Sequence, residues 1–218
     1  MTPASSHEAL QATLFRLEQL AQELPTQIAG DRIHELEAIA KWIVDANSKE
    51  SIDLIFICTH NSRRSHMGQI LAQAAAWHFG LKNVRTYSGG TEATAFDLRA
   101  IQALKDLGVS ITESSPGNNP VYQVSLQSGE SPFSTFSKSY QHASNPQQGF
   151  AAIMTCNHAN ESCPVVLGAA ARFSTPYVDP KISDGTKEET KTYAERAMQI
   201  GTEMFYVMAI AHAKITGE

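Results

Sequence analysis

Cys58, Arg64 and Ser65 lie in one short run, CTHNSRRS, that joins an apolar segment to a helix-forming one. Such a set can attack and hold an oxyanion. A thiolate is a strong nucleophile, and a helix N-terminus and nearby cations favour the thiolate over the thiol. Backbone N–H groups of a turn that runs into a helix form a nest for a tetrahedral anion. Arg64 adds a planar fork that suits the same anion, and Ser65 stands where its hydroxyl can hydrogen-bond the sulfur. The anion-holding residues expected around Cys58 are Thr59, His60, Asn61, Ser62, Arg63 and Arg64. Arg63 has two readings, a further contact to substrate or a solvated charge beside the pocket.

The other two cysteines, Cys156 and Cys163, share the stretch CNHANESCP. A buried-strand pattern, Phe150–Thr155, runs into Cys156, which places it at a carboxyl strand end, facing the crevice that Cys58 faces. Three cysteines, an odd and small number, argue against a structural disulfide framework. Three readings remain for the pair. They are chemical actors, or they are buried bystanders, or Cys156, His158 and Cys163 ligate a metal. C-x-H-x4-C is an uncommon zinc spacing with no evident fourth ligand, so no metal or cofactor is expected.

These residues need a scaffold that brings strand ends together, and the rest of the chain supplies the pattern. Asp53–Ile57, Val84–Tyr87, Phe150–Thr155 and Arg172–Val178 read as strands, the second stopped by a Gly89-Gly90 turn. Ser65–Phe79, with Met67, Ile70, Leu71, Ala74 and Ala75 on one side, Asp97–Leu107 (ended by Gly108) and Glu188–Ala213 read as helices. Strands that alternate with helices imply an α/β fold, a doubly wound parallel sheet with helices on both faces. Residues 113–149 break the rhythm as an insertion, in which Val121–Leu126 and Phe133–Tyr140 can pair as a hairpin. Two further helices precede the first strand. One carries Leu10, Leu14, Leu17, Leu20 and Leu24; the other, over 31–46, starts at a plausible Asp31 cap. The division expected is therefore an N-terminal helical extension, 1–48, and a catalytic domain, 51–216. This helical pair would pack against the main domain or a second copy of itself, and the leucine stripe, taken as exposed, makes a dimer through these helices an expectation.

Composition narrows the function classes. The 218 residues are 42% hydrophobic and 18% charged, as in an ordinary globular protein. A net charge of −5 provides no global field for nucleic acid or anionic membrane, so any anion must be held by local features. No apolar run approaches the ~18 residues of a membrane span. MTPASSHEALQ lacks a basic region followed by an apolar one, and the cytoplasm is the expected compartment.

The run Cys58–Ser65 resembles the C-x5-R-S loop of the low-molecular-weight protein tyrosine phosphatases and of the arsenate reductases that share their fold. Its place between a buried strand and a helix strengthens the match. Asn61 is similar to the family's loop asparagine, and Tyr87-Ser88-Gly89-Gly90-Thr91 to its serine-glycine turn, which makes Ser88 a supporting residue. Two departures stand out: His60 occupies a position usually held by glycine, and Arg63 one where these phosphatases often carry a second cysteine. The resemblance implies a four-stranded sheet of the phosphotyrosine phosphatase I type over about residues 52–213. Tyr177-Val178-Asp179-Pro180 resembles the family's mobile acid loop, which would make Asp179 the donor of a proton to the leaving oxygen.

The C-x6-C spacing of Cys156 and Cys163 resembles the redox segment of the thioredoxin-coupled arsenate reductases. That likeness implies a relay: Cys58 takes arsenate, Cys156 attacks Cys58 and expels arsenite, and Cys163 passes the disulfide to a thioredoxin-like dithiol. Hydrolysis of a phosphate monoester by Cys58, Arg64 and Asp179 is the alternative. A third class, an anion-binding or interaction module, is disfavoured because nucleophile, arginine and acid are all present. Seven helical steps separate Cα atoms by ~10 Å, whereas a disulfide needs ~5.5 Å, so 156–163 is expected to be irregular or to unwind.

Overall fold

The computed structural model describes residues 3–126, 130–162 and 165–217. Cys163, and with it the redox reading of C-x6-C, lies outside the described residues.

Strands β1 (Ile52–Cys58), β2 (Val84–Gly90), β6 (Phe150–Met154) and β7 (Ala169–Ser174) form the expected parallel sheet, in the order β2-β1-β6-β7. Alternate side chains of its inner strands go to opposite faces, as the pleat requires. Ile52, Leu54, Phe56, Ala151 and Ile153 join the main core, beneath helices α3 (Arg64–His78), α4 (Leu98–Asp106) and α6 (Glu189–Thr216). Ile55, Ile57, Ala152 and Met154 face a smaller cluster that contains Cys58, Cys156 and Ala159 of the short helix α5 (Asn157–Ser162). The sheet is thus covered unevenly: a broad helical layer on one face, and one short helix with its neighbouring loops on the other. The second strand runs through Gly89 and Gly90 rather than stopping before them, and the fourth occupies 169–174, so that 175–179 is irregular.

Helix α3 is buried on every side from Ser65 to Ala76, not on one face. Its inner glutamines meet the sheet's edge. Gln73 Nε2 donates to the Val84 carbonyl and its Oε1 accepts from Thr86 N, while Gln69 Nε2 donates to the Thr86 carbonyl. Two glutamine side chains therefore satisfy backbone groups that an edge strand would otherwise leave open.

Helices α1 (Pro3–Glu23) and α2 (Gly30–Asp45) are present, and Asp31 is not the cap expected of it. Ala29 holds the N-cap position without a side-chain bond, and Asp31 lies in the first turn. The leucine stripe is not exposed. Leu10, Leu14, Leu17 and Leu24 are buried in the main core with Leu36, Ile39 and Ile43 of α2 and Phe205 of α6. Each fully buried leucine contributes about 1.5–3 kcal/mol, so this face is already used within the chain and leaves the expected homodimer through these helices without its basis.

The insertion contains the expected hairpin, β4 (Val121–Ser125) with β5 (Phe133–Thr135), and adds a strand not foreseen, β3 (Ser110–Ser115), to make a second antiparallel sheet β3-β4-β5. After β5 the chain returns to the main sheet, where Ser139 bridges in parallel to Gly90.

Candidate active site

The strand-loop-helix unit β1-α3 places Cys58 at the last position of its strand and Arg64 at the first of its helix. Between them the loop's carbonyls are drawn outward. Cys58 O accepts from Thr91 N, Thr59 O from Glu92 N, and Ser62 O from Asp97 N. His60 O accepts from the hydroxyls of Thr94 and Ser137. In a trans peptide the N–H points opposite to the carbonyl before it, so the N–H groups of Thr59, His60, Asn61 and Arg63 are turned to the inside of the loop. That is the geometry of an anion nest. Gly90 permits the approach of segment 91–97: a Cβ there would lie 2.2 Å from Glu92 O and 2.7 Å from Asn61 N. The two glycines serve close packing, not a turn.

Inside the loop, Ser65 Oγ lies 3.1 Å from Cys58 Sγ and accepts a 2.8 Å hydrogen bond from Asn61 Nδ2. Asn61 takes the loop's positive φ, 44°, a conformation asparagine tolerates. Its Oδ1 accepts from the backbone N–H of Lys138, 2.8 Å away. His60 causes no strain, because its half-exposed side chain points out toward Glu92 at 3.8 Å. Ser88 lies next to His66 of α3. It is fully buried with its hydroxyl 3.3 Å from His66 Nδ1, and its carbonyl accepts from Asn145.

The two arginines divide. Arg64 donates from Nη1 to the Tyr177 carbonyl at 2.8 Å and from Nη2 to Asp179 Oδ2 at 2.7 Å. The expected clamp and the expected acid are thus brought together. Arg63 turns away from the sulfur. Its Nη2 lies 3.0 Å from Asp97 Oδ2 and its Nε donates to Tyr193 Oη at 2.9 Å, with Asp179 and Asp184 each 3.9 Å away. Burial opposes the Arg63 charge, but Asp97, Tyr193 and Asp179 outweigh it and hold its pKa above the ordinary value. The reading of Arg63 as a solvated charge is corrected: its side chain is largely buried and cross-links the loop to α4, α6 and the acid loop. Its backbone N–H remains with the nest.

Cys156 is buried one residue beyond Thr155, which follows the strand paired with β1. Its Sγ accepts from Ala159 N at 3.4 Å and lies 3.6 Å from Thr59 Oγ1, which is also 3.3 Å from His158 Nδ1. Thr59, beside the expected nucleophile, therefore touches the second sulfur directly. Among the described residues no group of histidine, cysteine and acid side chains is arranged to hold a metal.

Behind the acid loop lies a network with no warning in the sequence. Glu203 of α6 accepts from Arg32 of α2, with Nη2 at 2.7 Å, and from Tyr177 Oη at 2.7 Å, while the Arg32 guanidinium sits 4.7 Å over the Tyr177 ring. Burial, followed by Glu203, pushes the Tyr177 phenol well above its ordinary pKa, so it is a neutral donor here. These partners are 171 and 26 residues apart, and no local spacing announces them.

Residues 53–121 match the sequence model of the low molecular weight phosphotyrosine protein phosphatase family. That stretch holds the Cys58 loop and Ser88–Gly90 and ends before Cys156 and Asp179. A curated protein named arsenate reductase from Halalkalibacterium halodurans is 27% identical over 140 residues, 62% of this chain and 79% of that protein. Another of the same name, from Bacillus licheniformis, is 26% identical over 149 residues, 68% of this chain and 87% of that protein. Among solved structures, a low molecular weight protein tyrosine phosphatase from T. tengcongensis superposes with a TM-score of 0.49 at 16% identity, covering 73% of this chain and 99% of that one. Residues 53–121, with the cysteine loop within them, are thus similar to the low molecular weight phosphotyrosine protein phosphatase family, and curated proteins named arsenate reductase are among the chain's relatives.

Proposed function

We propose that the chain reduces arsenate to arsenite through Cys58, Cys156 and Cys163. One observation carries the choice of reduction over hydrolysis: a second buried cysteine, Cys156, sits at the end of the strand beside β1, with its sulfur 3.6 Å from the hydroxyl of loop residue Thr59. Adjacent strands lie ~4.8 Å apart, so strand placement favours a meeting of the two sulfurs after modest movement. Curated relatives named arsenate reductase point the same way.

In this reading arsenate enters the nest against the inward N–H groups, and Arg64 exchanges its bond to Asp179 for the anion. The Cys58 thiolate attacks arsenic, and Asp179 protonates the departing hydroxide. Ser65 stabilises the Cys58 thiolate when it attacks and again when it is released. The Cys156 thiolate then attacks Cys58 Sγ. The S–As bond breaks with its electron pair kept on arsenic, which leaves as arsenite, and a Cys58–Cys156 disulfide remains. Cys163 attacks Cys156 and frees Cys58, and a thioredoxin-like dithiol reduces the Cys156–Cys163 disulfide. Closing that last bond requires α5 to rearrange, since Asn157–Ser162 between the two cysteines is helical. A reducing cytoplasm suits such a cycle. Residues 51–216 act as the catalytic unit, and 1–48 as a helical extension that braces it.

Phosphate monoester hydrolysis is the second reading, favoured by the 2.7 Å contact that joins Arg64 to Asp179, the pair a phosphocysteine mechanism would use. The test is arsenate-dependent NADPH consumption with thioredoxin and its reductase, run beside aryl phosphate hydrolysis, for wild type and Cys163→Ser. Reduction is expected in wild type and lost in the variant. Efficient hydrolysis without reduction assigns the chain to the phosphatases, and either activity in Cys58→Ser overturns both readings.

A further inference from the structure

A hollow of about 360 Å³ opens between the inserted hairpin, the edge strand β2 and the outer part of α3. Its size lies within the ~300–1,000 Å³ usual for small-molecule sites. Trp77, Phe133 and Phe136 give it aromatic walls, Lys82 and Arg85 stand at its rim, and Lys138 lies in its floor. No aspartate or glutamate is among the described residues that line it.

Lys138 is the unusual member. It is only 5% exposed, and its ammonium meets the Phe136 carbonyl at 3.4 Å and the Phe136 ring, with the centroid 4.8 Å away. Both contacts are weak for a buried charge, which ordinarily demands an anion and short hydrogen bonds. Burial accordingly lowers its pKa to about 8, still leaving it mostly protonated at pH 7. The glutamine oxygens beside it are already engaged, Gln73 Oε1 by Thr86 N and Gln69 Oε1 by the Thr135 hydroxyl. Lys82 and Arg85 are exposed to solvent at the rim, and Arg85 is shared with Tyr87 on its own strand, whereas Lys138 is the buried cation of the lining.

We propose that this hollow binds a small organic anion with an aromatic body, its carboxylate on the Lys138 ammonium and its ring against the aromatic wall formed by Trp77, Phe133 and Phe136. The site is distinct from the Cys58 loop but is wired to it, because the backbone N–H of Lys138 holds Asn61, and Asn61 holds Ser65 against the sulfur.

The probe is 2-naphthoate, titrated calorimetrically into the full chain, with uncharged 2-naphthalenemethanol as its comparison. Saturable one-to-one binding is expected, about tenfold or more weaker for the alcohol and for Lys138→Met, as befits loss of one charge-assisted hydrogen bond. Ser134→Trp, at an exposed position of the lining, is expected to close the mouth and abolish binding without disturbing the core. Equal binding by Lys138→Met, equal binding of acid and alcohol, unchanged binding by Ser134→Trp, or no saturable binding by wild type would each overturn the proposal. Should Lys138→Met fail to fold, Ser134→Trp decides.

Discussion

Arg64 Nη2 and Asp179 Oδ2 lie 2.7 Å apart, so the proposed anion clamp and the proposed acid hold each other. Substrate must compete with Asp179 for the guanidinium. Replacing Asp179 with Ala should therefore separate binding from turnover. Inhibition by inorganic phosphate should tighten, because Arg64 is released. The kcat for phenyl phosphate should fall by ~10²–10⁴, the usual worth of a general acid, and less for p-nitrophenyl phosphate, whose leaving group needs no proton. Equal losses for both substrates would remove Asp179 from the acid role.

The Arg32–Glu203–Tyr177 network gives the N-terminal helices a task. Glu203 is 2% exposed and Arg32 17%, and the acid loop hangs from Tyr177. Arg32→Ala would strand a buried carboxylate and should cost about 2–4 kcal/mol in urea unfolding, at the lower side of what breaking a buried pair costs. Arg32→Ala with Glu203→Gln should recover part of that loss. If the single variant is as stable as wild type, α2 does not brace the loop in this way.

His66 predicts an acid-side loss of stability. It is fully buried, stacked 3.9 Å from Phe96, and burial, then Lys138, holds its pKa well below 6.5. Below about pH 6.5 the unfolded chain binds a proton that the native chain does not, so stability falls as pH falls. The slope from this one group approaches about 1.4 kcal/mol per pH unit. Urea midpoints between pH 7 and 5 should show that slope, and His66→Phe should flatten it even if the variant starts less stable. An unchanged slope in the variant would assign the acid sensitivity elsewhere.

The sheet and its helices were legible because short continuous apolar runs such as Ile52–Cys58 and capped amphipathic segments such as Leu98–Asp106 carry their own local signals. The grouping of Cys58, Asn61, Arg64 and Ser65 was legible for a related reason: the proposed nucleophile, nest and clamp lie within eight residues of chain. Arg63 was not, because its partners Asp97, Asp184 and Tyr193 come from three distant segments and only the fold selects them. The leucine stripe was legible as an apolar face, but a period of 3.6 does not say what covers it. Here the cover is α6, where Gly201 admits Leu17: a Cβ on that glycine would lie 3.1 Å from the leucine. Ser88 was placed by analogy with a turn and proved to serve His66, a contact set by packing across α3 and β2.

The most direct test of the sulfur relay is disulfide mapping after a single turnover. Reduced Cys163→Ser protein is mixed with arsenate in the absence of any other thiol, quenched in acid and analysed by mass spectrometry. The relay predicts one arsenite released per chain and a Cys58–Cys156 disulfide, with neither formed in Cys156→Ser. Arsenite without that disulfide, or no arsenite from wild type under the same conditions, would contradict it.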